Sequence, residues 1–183
     1  MKKIIAIALT LVLLCGAVAV FADTTITTPS KTTGDLASFE VTVENPIAGK
    51  TVILVPVADQ KNAEAELEKI QAAKSVEDYF GEDAGKALTD ILGNDISLDE
   101  FMAVTEQGYE EGMGAATVFT KVATPYEKDE KAVALIGIAK DGKLAWNAYE
   151  AVGLEDGRIQ FVVDANTMLK LMNGAALFAI CSK

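Results

Sequence analysis

Hydrophobic and polar positions fall into a sequence of short, regular runs. Phe39, Val41 and Val43 alternate with Glu40, Thr42 and Glu44, the period of two that marks a strand with one buried and one wet face. Asn45-Pro46 reads as the turn after it, and Val52–Ala58 as a second strand. Pro56 cannot donate to a ladder, which assigns it to an edge or a strand end.

The period then lengthens. Leu67 and Ile70 share one face of Ala63–Lys74, with Glu64, Glu66 and Glu68 on the others. Ser75 is placed to cap a new helix, with Asp78 three residues on. Ala84, Ala87, Leu88, Ile91 and Leu92 repeat at helical spacing up to Gly93, a residue suited to a helix C-terminus. Residues 62–93 are thus expected to form a helical insertion between strands.

Strand patterns return at Phe101–Gln107, where Ser97 and Glu100 leave open a capped helical turn instead. Gly108–Gly114 is a glycine- and glutamate-rich loop, and Ala116, Val118 and Val122 mark another strand. Ala132–Ala139 is apolar throughout, so both of its faces should be covered. Lys140–Lys143 and Glu155–Arg158 are hairpin turns on either side of a strand over Leu144–Val152. Ile159, Phe161 and Val163 point inward. Asp164 can cap a short helix through Met172, which Asn173-Gly174 ends, and Ala175–Ser182 closes the sheet. Seven or eight short strands at this spacing predict a mainly β (α+β) fold, an antiparallel β-sandwich with a helical insertion.

The first residues stand apart from this pattern. Met1–Ala22, MKKIIAIALTLVLLCGAVAVFA, has two lysines, an apolar stretch and small residues at Val20 and Ala22. That is the layout of a secretory signal peptide. As a membrane anchor the apolar stretch falls just short of the ~20 residues a spanning helix needs. A lipid-attachment cysteine normally follows a small residue, whereas Leu14 precedes Cys15. The expected destination is extracytoplasmic, at the cell surface or in the periplasm, with no stable membrane insertion after cleavage. Residues 23–35 contain six threonines and little to bury, the composition of a flexible spacer. Residues 36–183 then form a single domain.

Composition removes chemistries. The 183 residues carry 16 basic and 27 acidic side chains, a net charge of −11, and no histidine. Loss of Lys2 and Lys3 with the signal would take that charge to −13. Nucleic acid, which rewards basic surfaces, is not an expected partner. Without histidine there is no Ser-His-Asp triad, Cys-His pair or HExxH helix. The chain has no Cys/His cluster for zinc, no GxGxxG, no P-loop and no GxSxG. GNDISLDEF echoes a calcium loop, but Thr89, Ile91 and Gly93 stand where its first carboxylates belong. No cofactor or metal is expected. Of the 2 cysteines, Cys15 leaves with the signal, and Cys181 lies in an apolar run that predicts a buried thiol.

Two functional readings remain. Amphipathic rings suit recognition surfaces, which makes Tyr109, Tyr126 and Tyr149 the candidate binding residues, with Trp146 assigned to the core. The partner would be an extracellular protein or a glycan. The alternative is a secreted carboxylate-dependent glycoside hydrolase, with Glu110, Glu111 and Glu150 its least arbitrary acids. Such an enzyme needs two carboxylates about 5–10 Å apart in a cleft, one with a raised pKa.

The C-terminal run strengthens the first reading. It holds TPYE (124–127), the strand V-x-L-I-G-I, W-x-x-Y-E (146–150), two D-G hairpins and a short helix leading to the last strand. About 60 residues of it resemble the C-terminal half of secreted or surface modules of anaerobic bacteria. That family implies an Ig-like β-sandwich and a place outside the cytoplasm. It carries no catalytic residues to transfer.

Overall fold

A computed structural model describes residues 24–33, 38–123, 125–140 and 143–183. The expected signal peptide, and Asp141-Gly142 in the first hairpin turn, lie outside the described residues. Among the described residues, nine strands and four helices follow one another. Strands β1 (Thr25–Thr27), β2 (Ser38–Val43) and β3 (Ile53–Pro56) come first. Helices α1 (Lys61–Ala72), α2 (Val76–Phe80) and α3 (Glu82–Leu92) come next. Strands β4 (Asp95–Gln107), β5 (Ala116–Lys121), β6 (Lys131–Lys140), β7 (Lys143–Gly153) and β8 (Ile159–Val163) precede helix α4 (Ala165–Leu171) and strand β9 (Ala176–Ser182).

The fold is mainly β, with the helical insertion where the periodicity puts it. The strands form one hydrogen-bonded sheet in the order β1-β4-β9-β6-β7-β8-β5-β2, with β3 also paired to β4. The sheet is mixed, which corrects the wholly antiparallel expectation. β1 runs parallel to β4, with Ile26 opposite Ile96, while the other pairings are antiparallel. Hydrogen bonding is continuous, so the facing layers belong to a single curled sheet.

Of the expected spacer, residues 24–33 are described, and they are tied to the sheet rather than free of it; residues 23, 34 and 35 lie outside the described residues. Thr33 donates its amide to the Phe101 carbonyl at 3.0 Å and receives the Phe101 amide on its hydroxyl at 2.9 Å. Gln71 Nε2 donates to the Pro29 carbonyl at 3.0 Å. A threonine-rich segment has little to bury, but its backbone and hydroxyls can satisfy a sheet edge.

Curling gives β4, β9 and β6 two buried faces. Met102, Ala134, Ile136, Phe178 and Ile180 point into the space enclosed by the curl. There Phe178 meets the edge of Phe39 at 5.1 Å and stacks on Phe161 at 5.8 Å. Phe101, Val133, Leu135, Ala179 and Cys181 point the other way, under Ala63, Leu67 and Ile70 of α1 and Ala84, Leu88 and Leu92 of α3. This is why AVALIGIA has no polar face.

Local chemistry fixes the roof of helices. The Ser75 hydroxyl accepts the Asp78 amide at 3.2 Å, the expected cap of α2. Gly85 lets α2 and α3 approach closely, since a Cβ there would lie 2.8 Å from the Glu77 backbone. Asp164 caps α4 by accepting the Thr167 amide at 3.0 Å. Residues 97–100 belong to the long strand β4, with a register shift between Leu98 and Glu100 in place of a helical turn. The demands of β9 on one side and β1 on the other outweigh the local capping pattern.

Candidate functional site

Between α1 and the ends of β6, β7 and β9, the roof does not close. A groove of about 620 Å³ remains, within the range that holds small ligands. Small residues make the space: Gly137 and Ala139 of β6, Ala176 at the start of β9 with Ala175 before it, and Ala65 on α1. Asn62, Glu66 and Lys69 continue the α1 wall, roughly one helical turn apart.

Trp146 lies on the groove floor, half-buried. The β6–β7 register sets Gly137 directly opposite it. A Cβ on Gly137 would come within 2.8 Å of the six-membered ring of the indole, so only glycine lets the ring lie against the strand. Phe80 meets Trp146 edge-on at 5.0 Å, and Tyr79 meets it at 5.8 Å. The sequence expectation of a core tryptophan therefore holds for one side of the ring only.

The polar groups are held as firmly. Glu66 accepts from Lys69 Nζ at 2.6 Å and from the Tyr79 hydroxyl at 3.0 Å. Burial pushes the Tyr79 phenol pKa up, and the neighbouring Glu66 carboxylate adds to it, so Tyr79 remains a donor. Gln60 anchors the loop that carries Val57 and Asp59. Its side-chain amide donates to the Ala103 carbonyl at 3.1 Å and accepts the Ala103 amide at 2.7 Å, standing in for a residue of a neighbouring strand. Asp59 and Glu66 balance Lys69 and Lys143 around the groove.

The tyrosines singled out in the sequence lie elsewhere. Tyr109 is 3 % and Tyr126 7 % exposed, which corrects the expectation of a surface patch. The Tyr109 hydroxyl donates to the Gly114 carbonyl at 2.7 Å. That of Tyr126 bonds Asp99 at 2.5 Å, and burial, then Asp99, raises its pKa. Tyr149 is half-buried, with its hydroxyl 2.7 Å from both Asp164 and Thr167. Each ring buries its body in the curl and satisfies its hydroxyl internally, so the three form no common surface.

The candidate acids do not converge either. Glu110 pairs with Lys50 at 2.6 Å, while Glu111 and Glu150 are exposed. None of the three lines the groove. The carboxyls whose pKa burial raises are Glu100 and Glu106, and both are enclosed. Glu106 accepts the Tyr109 amide at 2.5 Å, and Glu100 Oε1 accepts the Ala123 amide at 2.9 Å. Glu100 Oε2 is buried without a partner among the described residues.

Cys181 is wholly buried, which pushes its thiol pKa up and keeps it protonated. Among the described residues, no group of three or more acids, cysteines or histidines could hold a metal ion. None of the described helices is long and apolar enough to cross a membrane.

Sequence reasoning missed the groove because five chain segments build it. One clue was readable. The hairpin that pairs Lys140 with Lys143 sets Trp146 opposite Gly137, and a glycine opposite an aromatic leaves room for a ring. No family model, curated protein or solved structure matches the chain.

Proposed function

We propose that this chain is an exported, non-enzymatic binding module and that its ligand site is the groove floored by Trp146. The observation that carries the reading is the tryptophan itself. It is the only one in the chain, and it lines an open groove against a glycine that makes room for it. Preformed concave sites with an aromatic surface and a few placed polar groups are where ligands bind. Export is supported by the N-terminal lysines, apolar run and small residues. The layering of β2, β5 and β8 over β9 supports the finer likeness to an Ig-like sandwich, continuous hydrogen bonding around the bend being its departure from one.

Two observations favour binding over hydrolysis. Glu66 is already engaged by Lys69 and Tyr79. The acids with raised pKa are sealed away from the groove, so a proton donor poised for glycosidic cleavage is not at hand.

A thermal-shift screen of small molecules and oligosaccharides tests the reading, run on the wild type and on Ala65→Phe. Ala65 is an exposed groove-wall residue, so the larger ring fills the space without entering the core. Compounds that stabilise the wild type and not the variant support the site. Compounds that act equally on both, or none at all, overturn it.

A further inference from the structure

We infer that the Trp146 groove takes a neutral, polyhydroxylated chain, an oligosaccharide whose ring face stacks on the indole. The inference rests on the groove being the binding site.

The floor supplies the first argument. A pyranose presents C–H groups on its faces and hydroxyls around its edge. Such a ring needs a flat, polarisable surface beneath it and hydrogen-bonding groups beside it. Trp146 offers the surface, and Gly137 on the strand with Phe80 and Tyr79 at its sides holds it in place. A ring already fixed loses little freedom when a ligand arrives.

The rim supplies the second. Asn62 carries an amide that can both donate and accept, and it has no hydrogen-bond partner among the described residues. Asp59 adds an acceptor, and Lys69 and Lys143 add donors. Sugar hydroxyls answer both kinds of group. A wholly apolar ligand would strip water from these groups and return nothing.

Charge supplies the third. The groove lining carries two acids and two bases, and the chain as a whole carries −11. A phosphorylated or sulfated ligand would meet a repulsive field and no cluster of cations. A neutral ligand meets neither penalty.

The test is a calorimetric and fluorescence titration of the protein with three probes. These are neutral gluco-, manno- and xylo-oligosaccharides, a sulfated oligosaccharide, and a pool of unstructured peptides. Because Trp146 is the sole indole, its emission reports the groove alone. The expected result is saturable binding of a neutral oligosaccharide, with a shift in emission and little dependence on salt. Trp146→Leu should weaken it about tenfold. Should that variant unfold, Asn62→Ala serves instead, since Asn62 is exposed, and it should weaken binding severalfold with the unfolding midpoint unchanged.

Binding of peptides or of the sulfated probe alone, abolished by Ala65→Phe, would overturn the saccharide and leave the groove standing. Binding of no probe to the wild type overturns the saccharide, and with a null small-molecule screen it overturns the site as well. Saccharide binding untouched by both Asn62→Ala and Ala65→Phe would place the sugar elsewhere and also count against the proposal.

Discussion

Strands β6 and β9 bury aromatic rings on both faces, and the two faces end differently. Inside the curl, Phe178 is held by Phe39 and Phe161, and its exposure is 1 %. Under the helices, Trp146 is held by Phe80, Tyr79 and the bare backbone of Gly137, and it stays half-buried. Both clusters stabilise the fold. The curled sheet closes on itself around Phe178, so the inner face is filled there. A roof of three short helices meets the strands along α1 and α3 and falls short at their ends. The difference teaches that a binding site in this fold need not be added to the scaffold. It arises where a helix cannot follow the sheet to its end and small residues keep the gap open.

The comparison can be broken most forcefully at Phe178. Phe178→Ala removes a ring from a filled space and should cost about 3–5 kcal/mol of stability, measured by urea unfolding. A loss under about 1 kcal/mol would show that the inner face is not sealed.

The next largest effect is at the groove floor. Gly137→Val puts a side chain where the Trp146 ring lies. It should cost roughly 1–3 kcal/mol and change the emission maximum, because the ring must leave the strand. Unchanged fluorescence would mean that the indole does not rest there.

Glu100 sharpens the picture of the inner face, since burial raises its carboxyl pKa against the opposing hydrogen bond from the Ala123 amide. An acid whose folded pKa lies above its unfolded value stabilises the fold at pH below that unfolded value. This contribution is lost as pH rises through the folded value. Stability from Glu100 therefore declines as pH rises above the ordinary carboxylate range. Glu100→Gln should gain roughly 1.5 kcal/mol at pH 7, with the two unfolding curves converging on acidification. Equal stability of the two proteins at every pH would contradict the buried, unpartnered oxygen.

The smallest effect falls on the roof. Ser75→Ala leaves the Asp78 amide uncapped and should cost about 1 kcal/mol, read by thermal unfolding. It loosens α2, and with it Tyr79 and Phe80 over the indole. Acrylamide should then quench Trp146 more readily.

Much of this architecture is legible in the chain, because the rules that made it are local or periodic. Ala132–Ala139 announces two covered faces, and β6 has them. Asp164 and Ser75 announce caps and make them. The failures share another cause. β1 and Thr33 look like spacer because most of what they supply is pairing with β4, more than sixty residues away, and Ile26 alone carries a hydrophobic contact that a local pattern could show. Residues 97–100 carry a capping pattern that pairing with β9 overrules.

The tyrosines show the limit for sites. An amphipathic ring suits an exposed patch as well as a buried one, and the partner of the hydroxyl decides. For Tyr126 that partner is Asp99, 27 residues back, which no local pattern reveals. The groove was hidden for the same reason, although the register of one hairpin sufficed to lay Trp146 over Gly137.

The central claim is that the indole is held on one side and open to the groove on the other. Acrylamide quenching of the single tryptophan tests it directly, in the wild type and in Ala65→Phe. The account predicts clear quenching in the wild type and a marked drop when the phenyl ring fills the groove, with the fold intact by circular dichroism. Quenching as weak as for a fully buried indole, or equal in the two proteins, would contradict it.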